Sequence, residues 1–175
     1  MNLTILSFLF FFNIHTPTDT LHWSENRKLT YNDFKVRLNT TEGNVAQTAS
    51  GISISYEYNR ELEKYVIEVY SFFTFSDSWM HKDGKNEYVL NHEQKHFDIT
   101  EIYARRLRKE LSETNINYKN IRTVTTELYN KILDEWNARQ TLYDTKTYHG
   151  LRKSIQAEWD KKISKELEDL KLYAI

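Results

Sequence analysis

Near residue 86 the spacing of apolar side chains changes, and that change limits the folds open to this chain. Upstream, Ile52, Ile54, Tyr56 and Tyr58 alternate with polar residues. That period of two sets one face of a strand against a core. A polar turn follows at 59–64, and residues 65–75 are then rich in β-branched and aromatic side chains, with Ile67, Val69, Phe73 and Phe75 on one face. The two runs predict an antiparallel hairpin. Downstream, Val89, Leu90, Phe97, Ile102, Leu107 and Leu111 recur at helical spacing, which predicts a helix over 86–112 with Asn86 as its N-cap. Ile121, Val124, Leu128, Ile132 and Trp136 predict a second helix over 119–142. Leu151, Ile155, Trp159, Ile163, Leu167 and Leu170 predict a third after Gly150. Strands first and helices after imply an α+β domain, a small antiparallel sheet packed on about three helices. Ahead of the hairpin, Thr30 and Asp33 have the spacing of a capping box at a short helical turn.

With 175 residues and no internal repeat or Gly/Pro/Ser-rich linker, residues 21–175 are expected to form one domain. The 24 basic and 25 acidic residues leave a net charge of -1, so the basic excess of a nucleic-acid binder is missing. Cysteine is absent, which excludes disulfides, thiolate metal sites and a cysteine nucleophile. Any metal must therefore be held by imidazole and carboxylate. Residues 3–14 are nearly all apolar. A bilayer span needs about 20 such residues, and this length suits the apolar stretch of a signal peptide instead. Residues 1–20 are accordingly expected to direct export to the periplasm or beyond, leaving no stable membrane span after removal.

The sharpest motif is His92-Glu93-Gln94-Lys95-His96, an H-E-x-x-H pattern inside the first helical stretch. Histidines four apart lie about 40° from each other around a helix, so both rings reach one point. Zinc accepts imidazole nitrogen readily. Glu93, one residue along, stands beside that point without being a ligand, where a carboxylate can take a proton from the attacking water and return it to a leaving amine.

A catalytic zinc site needs a third protein ligand and an open position. Glu101 is the nearest carboxylate in sequence, but on an unbroken helix it lies about 160° from the midpoint of the two histidines. It is expected to face helix packing or a basic partner such as Arg105. His15 falls in the presumed signal peptide, His22 at the mature terminus, and His81 in a polar loop expected to be exposed. His149 lies in residues 143–150, read as a loop between the second and third helices, where Gly150 gives freedom to turn the ring. Two antiparallel helices would bring that loop back beside the first half of the H-E-x-x-H helix. His149 is therefore expected to complete the site, with Glu127 and Glu135 as the alternatives and a plain helix-capping role as the bland reading.

These pieces together resemble the bacterial family catalogued as domain of unknown function 922, predicted secreted zinc-dependent proteases. The matching blocks are residues 23–34 (W-S-E-N-R-K-L-T-Y-N-D-F), Ser78-Trp79, residues 90–106 around the H-E-x-x-H, residues 143–150 (Y-D-T-K-T-Y-H-G), and Gln156 with Trp159. The resemblance implies a zincin-like metallopeptidase domain, usually exported, with His92 and His96 as ligands, Glu93 as base and the loop around His149 as part of the site.

The expected activity is zinc-dependent hydrolysis of peptide or protein substrates. A zinc hydrolase of another amide or ester, and a zinc-stabilised binding module at the cell envelope, are the alternatives. Tyr103, about 20° from His92 around the helix, and Tyr148 are candidates to stabilise a tetrahedral intermediate; for Tyr103 a core position is the plainer reading. Asp144 is expected to orient a histidine or cap the turn. The strand over 65–75 is a candidate to pair with an extended substrate.

Overall fold

A computed structural model describes residues 19–37 and 45–175. The expected signal segment lies outside them, apart from its last two residues. The strands are β1 (Thr20–His22), β2 (Lys35–Arg37), β3 (Ala46–Gln47), β4 (Ser50–Asn59), β5 (Lys64–Thr74) and β6 (Trp79–His81). The helices are α1 (Glu87–Glu113), α2 (Ile121–Thr147) and α3 (Lys153–Asp169). The protein is α+β, as the change of period implied.

β4 and β5 form the expected hairpin, with Ile52 opposite Ser71 and Ile54 opposite Val69. β1 pairs antiparallel with the other edge of β5, giving the order β1-β5-β4. A second small sheet, which the apolar pattern did not announce, has the order β2-β6-β3. In it β2 runs parallel to β6 and β3 antiparallel. Its strands of two or three residues are too short to carry a period. They are tied in by hydrogen bonds such as Lys35 N–H to Ser78 O at 3.0 Å. The Thr30–Asp33 capping box is present: the Asp33 carboxylate accepts from the Thr30 backbone N–H at 2.6 Å and its hydroxyl at 2.9 Å.

α1 is the axis of the molecule. Asn86 caps it by accepting from the Val89 N–H at 3.0 Å, and no glycine or proline interrupts it. One side packs Ile99, Ile102 and Leu107 with Ile52 and Val69 of the hairpin, Ile132 and Tyr143 of α2, and Trp159 and Ile163 of α3. Phe97 joins Trp23, Leu29, Phe34, Ala46, Phe73 and Met80 in a second cluster. At about 25 cal/mol for each Å² of apolar surface buried, these two clusters are the main force holding both sheets on the helix.

Two expectations need correction here. α2 does not stop at 142 but runs to Thr147. Tyr143 is fully buried against Trp159, and that packing carries the helix through a polar, threonine-rich stretch that reads as loop. β5 pairs with β4 from Lys64 to Phe73 and with β1 only over Phe72–Thr74, and none of its residues lines the cavity described below, so it is not placed to hold a substrate strand there. Among the described residues, no helix is long and apolar enough to cross a membrane.

Candidate metal centre

The His92-to-His96 spacing on α1 works as expected: the rings meet edge to face with Nε2 atoms 3.2 Å apart. The third group at that point is Asp144, in the last turn of α2. Its Oδ1 lies 3.2 Å from His92 Nε2 and 3.0 Å from His96 Nε2. His92, His96 and Asp144 could thus hold a metal ion. Bonds of about 2.0–2.1 Å to a tetrahedral ion separate its ligands by about 3.3–3.4 Å, so this triangle needs to open by only a few tenths of an ångström.

The outer ring nitrogens face glutamines. His92 Nδ1 lies 2.9 Å from Gln156 Oε1 on α3, and His96 Nδ1 lies 2.7 Å from Gln140 Oε1 on α2. With Nδ1–H donated outward, each Nε2 turns a lone pair inward, beside a carboxylate oxygen. Three acceptors that close repel one another unless a cation or proton sits between them. Burial resists charge on His96, but the hydrogen bond to Asp144 and the nearby charges of Glu93 and Asp144 outweigh it and raise the ring's pKa. Burial likewise works to raise the Asp144 carboxyl, yet the hydrogen bonds to His92 and His96 hold it well below the usual carboxylate range.

Glu93 is buried, and its Oε2 has no hydrogen-bond partner. It lines a cavity of about 940 Å³ together with His92, His96 and Asp144. The remaining wall includes Ala46 and Thr48 near β3, Trp136 and Gln140 of α2, and the turn from Tyr148 to Leu151. Two carboxylates at one mouth, the buried Glu93 with an unpaired oxygen and the partly exposed Asp144 beside it, are costly without a positive partner. The donor set, its spacing and this orphaned oxygen all fit a divalent cation.

His149 lines the same cavity but does not reach the shared point. Its Nδ1 is 3.7 Å from the other Asp144 oxygen, and its side chain is 59% exposed. Asp144 stands nearer because the extra turn of α2 carries it onto the face that also presents Gln140, four residues earlier. Tyr148, His149 and Gly150 follow with φ of 52°, 50° and 80°, three left-handed residues that end the helix. The turn is held by Thr147 Oγ1 to the Gly150 N–H at 3.2 Å and by a short hydrogen bond from the Tyr88 hydroxyl to Gly150 O.

Tyr148 lines the cavity. Tyr103 does not: it is buried in the core beneath the Arg106 guanidinium, the plainer of its two readings. Glu101 faces away as its phase requires and accepts from Arg105 Nε at 2.9 Å. Glu135 lies near Arg106 and Glu127 is exposed; neither joins the donor triangle. His22, in β1, lies against the tilted ring of Tyr70 in β5. His81 is not an exposed loop residue but the half-buried end of β6, where Nδ1 accepts from the Asp83 N–H.

Asp144, Gln140 and Gln156 were missed or undervalued as site residues. Their signal in the sequence is the i, i+4 pairing Gln140/Asp144, which mirrors His92/His96 once α2 is known to continue.

One comparison with known families falls on this part of the chain. Residues 76–150 match the family described as bacterial protein of unknown function (DUF922). The match takes in the H-E-x-x-H helix, Asp144 and the turn at Gly150, and it supports the resemblance drawn from the sequence; the description assigns no activity. No curated protein and no solved structure matches the chain.

Proposed function

We propose that this protein is a zinc-dependent metallopeptidase in which His92, His96 and Asp144 hold the ion and Glu93 is the general base. The observation that carries the reading is the unpartnered Oε2 of buried Glu93 on the cavity wall that also presents the three donors. Zinc suits a donor set of two imidazoles and a carboxylate, and when bound it supplies a Lewis acid that makes water acidic near neutral pH and polarises a carbonyl. Glu93 takes the proton of the attacking water at Oε2 and delivers it to the leaving nitrogen. Its burial keeps bulk water from competing for that oxygen. A structural zinc site is closed by a fourth protein ligand. Here three donors converge among the described residues, beside an open cavity, which favours a hydrolase over a zinc-stabilised binding module.

A peptide substrate is favoured by β3. Val45 O accepts from His81 N at 2.7 Å, which makes Val45 and His81 a hydrogen-bonded antiparallel pair. The next pair, Ala46 and Met80, then turns the Ala46 N–H and C=O away from β6. Ala46 lines the cavity, and β3 is an edge strand among the described residues. An extended peptide can add to that edge, the role first considered for β5. Tyr148 and His149 line the cavity and would face such a substrate. Export, read from residues 3–14, belongs to the same proposal.

The test is Glu93→Gln. It should keep about one zinc per chain and the native melting profile, while cleavage of a broad peptide library falls by at least about a hundredfold. Undiminished cleavage would remove Glu93 from its role. A zinc-loaded native protein that cleaves no peptide in the library would turn the reading towards another amide, an ester or a binding module.

A further inference from the structure

We propose that Gln140 of α2 and Gln156 and Asp160 of α3 are positioning residues that lock both histidines in the Nδ1–H tautomer, so that groups which do not touch the metal set its affinity. The proposal rests on the cation site described above and not on peptide cleavage. Gln156 has one amide atom 2.9 Å from His92 Nδ1. Its other amide atom lies 2.8 Å from Asp160 Oδ1. A carboxylate only accepts, so the atom facing Asp160 must be the NH₂ and the atom facing His92 must be the oxygen. The ring is then obliged to donate from Nδ1, which leaves the Nε2 lone pair for the site. Asp160 is itself held: its Oδ2 accepts from Asn91 Nδ2 at 2.9 Å, and Asn91 immediately precedes His92. The relay runs from Asn91 of α1 through Asp160 and Gln156 of α3 back to His92 of α1.

Gln140 is fixed by the same logic from a different acceptor. Its NH₂ donates to the backbone O of His96 at 3.0 Å, and a carbonyl cannot donate, so its Oε1 must be the atom 2.7 Å from His96 Nδ1. Each histidine thus has an amide whose orientation is dictated by a group that cannot donate. Tyr143 adds shape: it stacks on His92 at 4.8 Å between centroids and receives a hydrogen bond from the Gln156 amide.

The experiment measures zinc affinity by competition with a chromophoric chelator, together with imidazole ¹⁵N–¹H correlation spectra of the metal-free protein well above the imidazole pKa range. Gln156→Leu, Asp160→Leu and Gln140→Leu should each weaken zinc by about 10–100-fold, the usual effect of losing an outer partner of a metal-bound histidine. The double variant Gln156→Glu/Asp160→Asn moves the carboxylate inward by one step and keeps every hydrogen bond with its polarity re-dealt, so it should recover affinity to within about threefold of native. A role in packing alone would not produce that rescue. The unsubstituted protein should show Nδ1–H at both His92 and His96. An Nε2–H tautomer at either ring, or leucine variants binding zinc within about twofold of native, would overturn the proposal. If the variants fail to fold, the tautomers of the native protein decide it. Zinc binding without peptide cleavage would leave this proposal standing and remove only the peptidase.

Discussion

Asp144 touches both Nε2 atoms through one oxygen, while His149 approaches only the other oxygen, at 3.7 Å. That asymmetry can be put to a metal assay. His92→Ala, His96→Ala and Asp144→Ala should each lose stoichiometric zinc, because two remaining donors bind too weakly. His149→Ala should keep about one zinc per chain. The reverse pattern, with zinc retained by Asp144→Ala and lost by His149→Ala, would restore His149 as the third ligand. The same residues set a pH dependence. In the metal-free protein His96 has a raised pKa, so its stabilising charge is fully present below the ordinary imidazole value and is lost as pH rises through the raised one. Asp144 has a lowered pKa, so its contribution is present above the ordinary carboxylate value and is lost as pH falls through the lowered one. Thermal melts of metal-free protein should therefore peak between roughly pH 4 and 6.5 and decline toward alkaline pH. Saturating zinc should reverse the trend across neutrality, since acid protonates the ligands.

The C-terminal end of α2 is the element on which the site turns. Gly150 has a φ of +80°, and a Cβ there would stand 3.3 Å from Cγ and Nδ1 of His92. Gly150→Ala should cost more than about 1 kcal/mol through backbone strain alone, and it should also weaken zinc, because the His92 ring must move from its glutamine. Calorimetry with zinc titration checks both, and a variant that melts lower with unchanged zinc affinity would confine Gly150 to a structural role. This element was also the least legible in the sequence. The stripe Ile121, Val124, Leu128, Ile132 and Trp136 gave the start of α2 to within two residues, but beyond it only Tyr143 and Thr147 are buried, too sparse a pattern to extend a helix through polar residues. Missing those five residues placed Asp144 in a loop and left His149 as the expected donor. α1, by contrast, was readable because Asn86 caps it and its apolar phase runs unbroken, and that phase alone turned Glu101 away from the point where His92 and His96 meet.

Across the whole molecule Glu101 shows what the far side of the H-E-x-x-H helix is for. It is 2% exposed and accepts from Arg105 Nε at 2.9 Å, Arg108 Nη1 at 3.0 Å and the Ser71 hydroxyl of β5 at 2.6 Å. The two arginines extend the network: Arg105 donates to Leu167 O near the end of α3, and Arg108 to Val69 O of β5 and Tyr173 O near the C-terminus. One carboxylate therefore joins the sheet, the H-E-x-x-H helix and the end of the chain, on the side of α1 away from the histidines. Removing it leaves buried guanidinium charge uncompensated, a loss of about 3–5 kcal/mol. For a domain of this size each kcal/mol lowers the melting point by about 2–4 °C, so Glu101→Ala should melt lower by about 6–20 °C. The folded fraction at low temperature should still bind about one zinc, because neither arginine touches the donor triangle. Zinc lost from folded Glu101→Ala, or a melting point unchanged from native, would contradict the division of α1 into a metal face and a structural face.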